Sequence, residues 1–140
     1  GVPISGAAEL SKIEENIDWR SYFARRRDQH LVNVRDARKG IRSSLRAERP
    51  DEAYLKLTWA ADSAMDGLIH HAGHSINRWK WRLRYLDMLT EQGAVDEDPV
   101  NWYKLVRFGS NSIAEYDFGP HLDMLDELWS LAGTPPKEWR

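Results

Sequence analysis

The sequence predicts an all-α fold, an up-down helical bundle of about four to six helices built on a long antiparallel hairpin. Three observations lead there. Apolar residues recur at three- and four-residue spacing, as at Leu31, Val34, Ile41 and Leu45, and strand-type alternation is absent. Glycine and proline sit between the periodic segments, with Gly40 and Gly67 as exceptions. Helix-start chemistry precedes the segments at Asp18, Pro50-Asp51-Glu52, Asp98-Pro99 and Gly119-Pro120.

A short helix is expected over Ala7 to Ile17. Asp18 then caps a long helix running to about Glu48, with Trp19, Tyr22 and Phe23 continuing its apolar spacing at the start. Arg49-Pro50 ends it, because a residue before proline avoids the helical region. Pro50 also opens the next helix, where Asp51 and Glu52 complement the dipole in the first turn. That second helix is read from Asp51 to about His74, with a possible continuation to Leu89 and a stop at Gly93. The tight Pro50 link makes the two long helices a hairpin. A shorter helix follows from Asp98 to about Phe108, then a loop from Gly109 to Ser112. The last helix, Gly119 to Leu131, turns Leu122, Leu125, Leu128 and Trp129 inward, and Thr134-Pro135-Pro136 begins a loose tail.

The 140 residues are enough for one domain with its own core, and residues 1–140 are read as a single unit. Residues 1–6 are expected to be disordered or a cloning remnant, and 134–140 a tail. There are no cysteines, which excludes disulfides and thiolate metal sites and favours a reducing, cytoplasmic setting. No run has the length of a membrane span, and Gly1 to Gly6 lacks the basic and apolar regions of a signal peptide.

The net charge of −2 hides a polarity. Asp18 to Arg49 holds ten Lys/Arg against four Asp/Glu, a local +6. Glu91 to Glu127 holds nine acids against Lys104 and Arg107, a local −7. Either the basic face meets an anionic partner, or the two layers attract one another within the fold. Within the basic stretch, Arg38 is a candidate substrate contact. A small polar or nucleotide substrate is the expected partner, and nucleic acid is not. Seven tryptophans exceed what a small helical core needs, so one or two are expected to line a cleft or an interface.

The second long helix carries the candidate site. At 100° per residue, Leu57, Ala61, Ala64, Leu68, Ala72, Trp79, Leu83 and Leu86 form one stripe, read as core. The opposite side carries Trp59, Asp62, Asp66, His70, His74, Asn77 and Trp81. Asp62, Asp66, His70 and His74 repeat every four residues, a nearly straight ladder in which each acid can pair with a histidine. Short acids, imidazoles and indoles are not the composition of a plain solvated face. The candidate catalytic residues are therefore Asp66, Asp62 and His70, with a carboxylate as general base. Trp59, His74, Asn77, Trp81 and Arg38 are the candidate substrate contacts. A mutually satisfied surface ladder is the structural alternative.

Other motifs are weak. His70 and His74 have the spacing of a two-histidine metal pair, but His71 stands where a zincin-type motif needs glutamate, so no metal is expected. Arg25 and His30 match the Arg-x4-His spacing of a ribonuclease motif in small helical toxins, but lie early in the chain rather than late. Phe108-Gly109-Ser110 with Asp117 has part of a nucleotidyltransferase Gly-Ser…Asp-x-Asp signature, but Gly119 replaces the second acid that two-metal chemistry needs. That segment reads as a loop.

One stretch resembles a family. The run Ala64 to Leu89, with Ile76-Asn77-Arg78-Trp79, Lys80-Trp81 and Leu86, resembles the C-terminal helical domain behind the catalytic domain of small nucleotidyltransferases, the kanamycin and lincosamide modifying enzymes among them. The family usually spaces the Asn and the Lys-Trp pair further apart, with a proline between, which this chain lacks. The resemblance implies a helical domain that closes one side of a substrate cleft and can supply a base carboxylate, Asp62 or Asp66. It implies no cofactor in this chain; magnesium and a nucleotide would come with a partnering catalytic domain. The other expectations are a non-catalytic interaction or homodimerisation module using Trp59 and Trp81, and a stand-alone helical enzyme using the Asp/His ladder.

Overall fold

In the computed structural model the Asp18 carboxylate accepts hydrogen bonds from the Ser21 N–H at 3.1 Å and the Ser21 hydroxyl at 2.6 Å. That cap starts helix α1, Trp19–Arg46. The structure describes residues 18–76, 78–109, 112 and 115–131. The expected Ala7 helix, Asn77, the two termini and residues 110 and 111 of the expected loop lie outside the described residues.

Helix α1 buries Leu31, Val34 and Ile41 at the expected spacing. It ends in a Schellman motif, in which Arg49 N–H bonds Ser44 carbonyl at 2.9 Å and Glu48 N–H bonds Leu45 carbonyl at 3.1 Å. Glu48 takes the left-handed position usually given to glycine, with φ of 58°. Pro50 then opens α2, Pro50–His71, and completes the hairpin.

Helix α2 is the centre of the bundle and packs against every other helix. Leu57, Ala61, Ala64 and Leu68 are buried as expected, but so are Ala53, Thr58, Ala60, Met65, Gly67, Ile69 and His70. Neighbours cover more than one side of α2 and leave Leu55 and Trp59 exposed, so the core spreads well beyond the expected stripe. The candidate residues Asp62, Asp66 and His70 are packed over as well.

The continuation of α2 to Leu89 is also corrected. Gly73 at φ of 84° occupies the left-handed position of a second Schellman motif, with His74 N–H on Ile69 carbonyl at 3.1 Å. The chain restarts as a 3₁₀ turn, Trp79–Trp81, that leads into α3, Arg82–Glu91. Trp79, expected in the core stripe, is therefore 77% exposed. Gly93 stops α3 as expected, at φ of 72°.

Helix α4, Glu97–Phe108, and α5, Gly119–Leu131, close the bundle. Leu125 and Leu128 are buried, while Leu122 and Trp129 are partly buried against the core. The Tyr54 hydroxyl donates to Val106 carbonyl at 2.6 Å and ties α2 to α4. Arg38 reaches Asp126 at 2.8 Å, so one basic residue of α1 does meet the acidic last helix within the fold. Among the described residues no strand is present, and no helix is long and apolar enough to cross a membrane.

Candidate functional site

Three helices contribute to one polar cluster. Asp62 and Asp66 stand one turn apart on α2, Arg82 is the first residue of α3, and Tyr103 and Arg107 come from α4. Arg82 holds Asp66 with two prongs, Nε to Oδ1 at 2.6 Å and Nη2 to Oδ2 at 3.0 Å. Its Nη1 donates to Tyr103 Oη at 3.2 Å and to Asp62 Oδ1 at 3.3 Å. The Tyr103 hydroxyl in turn donates to Asp62 Oδ1 at 2.7 Å. Arg107 completes the group with an ionic contact to the same oxygen at 3.5 Å.

Two carboxylates face two guanidinium groups, so the cluster is charge-balanced. The Arg82 side chain is 10% exposed, Asp66 15%, Asp62 23% and Arg107 35%, a gradient from the interior to the surface. Burial would lower the Arg82 pKa, but Asp66, Tyr103 and Asp62 outweigh it and hold the guanidinium above its ordinary range. Burial, joined by the hydrogen bond to Asp62, raises the Tyr103 phenol. Such an array binds and orients polar groups. Each acid accepts from arginine, and all the recorded contacts of Asp62 fall on its Oδ1.

The histidines form a second, drier cluster. His70 is 1% exposed, and its Nδ1–H donates to the Asp66 backbone carbonyl at 2.8 Å. The expected pairing of His70 with the Asp66 carboxylate is thus replaced: the ring bonds the backbone and the carboxylate goes to Arg82. His30 of α1 lies over His70 with ring centroids 4.9 Å apart, and the Phe23 ring lies 6.4 Å from that of His70. Nε2 of both imidazoles is buried without a hydrogen-bond partner among the described residues. Burial pulls His30 down to about 4, against the opposing charge of Asp66. Burial also lowers His70.

The remaining candidates are dispersed. His74 lies beyond the end of α2, its ring 6.1 Å from that of Tyr85. Trp59 is 55% exposed in a cleft of about 360 Å³ with Asp36, Gly40 and Lys56. Trp81 lines a separate groove of about 250 Å³ with Arg84, Tyr85 and Met88. The break at Gly73 is why the two indoles belong to different surfaces. Arg38 is tied to Asp126. Arg25 is exposed while His30 turns inward, so the Arg-x4-His pair is not brought together. Of the six described tryptophans, Trp102 is the one that is buried, so more indole surface faces outward than composition foretold.

Sequence reasoning missed Arg82, Tyr103 and Arg107. A signal for Arg82 was present: positions 82, 86 and 89 share the buried stripe of α3, and an arginine there needs an acid. Tyr103 lies 41 residues from Asp62 and carried no local signal. Among the described residues no cluster of three or more metal-ligating side chains occurs. No family model, curated protein or solved structure matches the chain.

Proposed function

We propose that the chain is a helical substrate-binding domain of a nucleotidyltransferase-like protein, and that it contributes a preformed polar cleft wall rather than a catalytic base. The observation that carries this is the position of Asp62 at the outer edge of the cluster. Its Oδ1 accepts from Tyr103 and Arg82 and has an ionic contact with Arg107, which at 3.5 Å is the most distant and the most exposed of the three. A hydroxyl or ammonium group of a small polar substrate can replace that contact while Arg82 and Tyr103 keep the carboxylate aimed. The displaced Arg107 guanidinium is then available to a phosphate. Asp66, Arg82 and His70 lie deeper and act as the support that fixes this edge.

The resemblance of Ala64 to Leu89 to the helical domain of small nucleotidyltransferases supports the same assignment. Magnesium and a nucleotide belong, on this proposal, to a partnering catalytic domain. The test is an amide-shift titration of the chain with a panel of polyhydroxylated amines, whose hydroxyl and ammonium groups suit the Asp62 edge. Shifts are expected at Asp62, Tyr103 and Arg107, and Asp62→Asn should abolish them while leaving the helical spectrum intact. A variant that binds the panel as the parent does, or shifts confined to other surfaces, would overturn the proposal.

A further inference from the structure

The acidic composition of the chain conceals one segment of the opposite character. No acidic residue occurs between Asp66 and Asp87, and the run Arg78-Trp79-Lys80-Trp81-Arg82-Leu83-Arg84-Tyr85 alternates cations with apolar side chains, all aromatic except Leu83. Arg82 is consumed by the buried cluster. Arg78, Lys80 and Arg84 are exposed, and among the described residues none of them has an ion pair with an acid. The indoles between them are open too: Trp79 is 77% exposed and Trp81 41%.

The 3₁₀ turn sets the geometry. Residues three apart eclipse in such a turn. Arg78 therefore stands over Trp81, with its guanidinium carbon 5.8 Å from the ring centroid. Arg84 lies one turn further on and shares with Trp81 the apolar groove formed with Tyr85 and Met88. The first turn of α3 carries no acid, so these cations sit against the helix dipole and weaken the fold slightly. An arrangement that costs stability when empty is improved by an anion. The rings add a requirement that a bare anion does not meet: a planar, stackable group beside each charge.

We infer that this surface, which is independent of the Asp62 cluster, binds single-stranded nucleic acid. Bases stack on Trp79 and Trp81, and Arg78, Lys80 and Arg84 hold the intervening phosphates. Unpaired strands fit better than duplex, because only splayed bases offer their faces to indoles. A bilayer fits less well, because Lys80 separates the two indoles and the groove beside Trp81 is concave.

The experiment is fluorescence anisotropy of short labelled oligothymidine and oligouridine against the whole chain, with anionic phosphatidylserine vesicles in a parallel sedimentation arm. Both oligonucleotides are expected to bind, with a log–log salt slope of about −2 for three cations at roughly 0.7 each. Trp79→Ala and Trp81→Ala should each weaken binding roughly ten-fold. Trp59→Ala, an exposed indole on another surface, should not change it. Unaltered circular dichroism establishes that each variant folds. The inference is overturned if the parent binds neither oligonucleotide at low salt. It is equally overturned if the Trp79 and Trp81 variants bind like the parent, or if only the vesicles bind. None of these outcomes touches the Asp62 proposal, whose readout lies at other residues.

Discussion

The Asp66 carboxylate and the Arg82 guanidinium lock α2 to α3 through two parallel hydrogen bonds of 2.6 and 3.0 Å. The pair bridges the break at Gly73, so α3 is fixed where continuous helix fails. Breaking such a partly buried pair strands a charge, whereas replacing both partners with apolar volume does not. Arg82→Ala is expected to lower stability by about 3 kcal/mol or more. The double variant Asp66→Leu/Arg82→Met should recover most of that loss. Urea unfolding midpoints check both; equal losses in the single and double variants would contradict the account.

Tyr103 is the smaller test of the same cluster. Its hydroxyl donates to Asp62 at 2.7 Å and accepts from Arg82 at 3.2 Å. Tyr103→Phe removes both bonds without a change of shape, with an expected loss of about 1–1.5 kcal/mol. Lys104→Ala, one residue on, removes the exposed contact to Asp87 at 3.0 Å and should cost under ~0.5 kcal/mol. Thermal unfolding of the two variants side by side reads the difference, and a reversed order would argue against the cluster.

The buried imidazoles predict an acid sensitivity. His30 lies against His70 on α2, with Asp66 favouring its protonation and Arg26, His70 and Arg82 opposing it. The unfolded ring takes up its proton at 6.5 and the folded one at about 4. In that window the unfolded chain binds more protons, so acidification favours unfolding. The stability is fully present above 6.5, and the loss is complete below about 4. The lowered His70 acts in the same direction. The ring is not fully sealed, so the expected swing is only on the order of 1–2 kcal/mol. His30→Leu should flatten the profile relative to the parent; superimposable pH–stability curves would show that His30 stays solvated.

How much of this was legible follows from where each signal sits. The hairpin was readable because Arg49-Pro50 is a local device, and a proline constrains its neighbours whatever the tertiary context. The ladder of Asp62, Asp66 and His70 was readable because helical geometry alone places those residues on one line. The partner of the ladder was not. Arg82 reaches Asp66 only because the chain leaves helix at Gly73 and returns, and Trp79, Leu83 and Leu86, which keep the helical spacing of the stripe, disguised that break. Gly73 itself was the available clue, since glycine past a periodic segment favours the left-handed stop. The outward tryptophans were half legible: composition announced a surplus, but only the break at Gly73 explains why Trp79 faces solvent.

The Schellman motifs that end α1 and α2 allow a reciprocal prediction. Glu48 and Gly73 occupy the same position after their helices, at φ of 58° and 84°. A side chain there brings its Cβ toward the following carbonyl, at a cost of roughly 1–2 kcal/mol, which only glycine escapes. Helix α1 therefore carries a strain that α2 does not. Glu48→Gly should raise stability by about 1 kcal/mol, less whatever entropy the freer unfolded chain gains. Gly73→Ala should lower it by a similar amount. No atom lies within 4 Å of a Cβ built at Gly73, so that loss would be backbone strain and not a clash. Both substitutions are far from the Asp62 carboxylate in role, and neither should alter ligand-induced shifts there. Chemical denaturation reads the two signs directly. Glu48→Gly that destabilises would mean the glutamate side chain contributes more than its backbone costs.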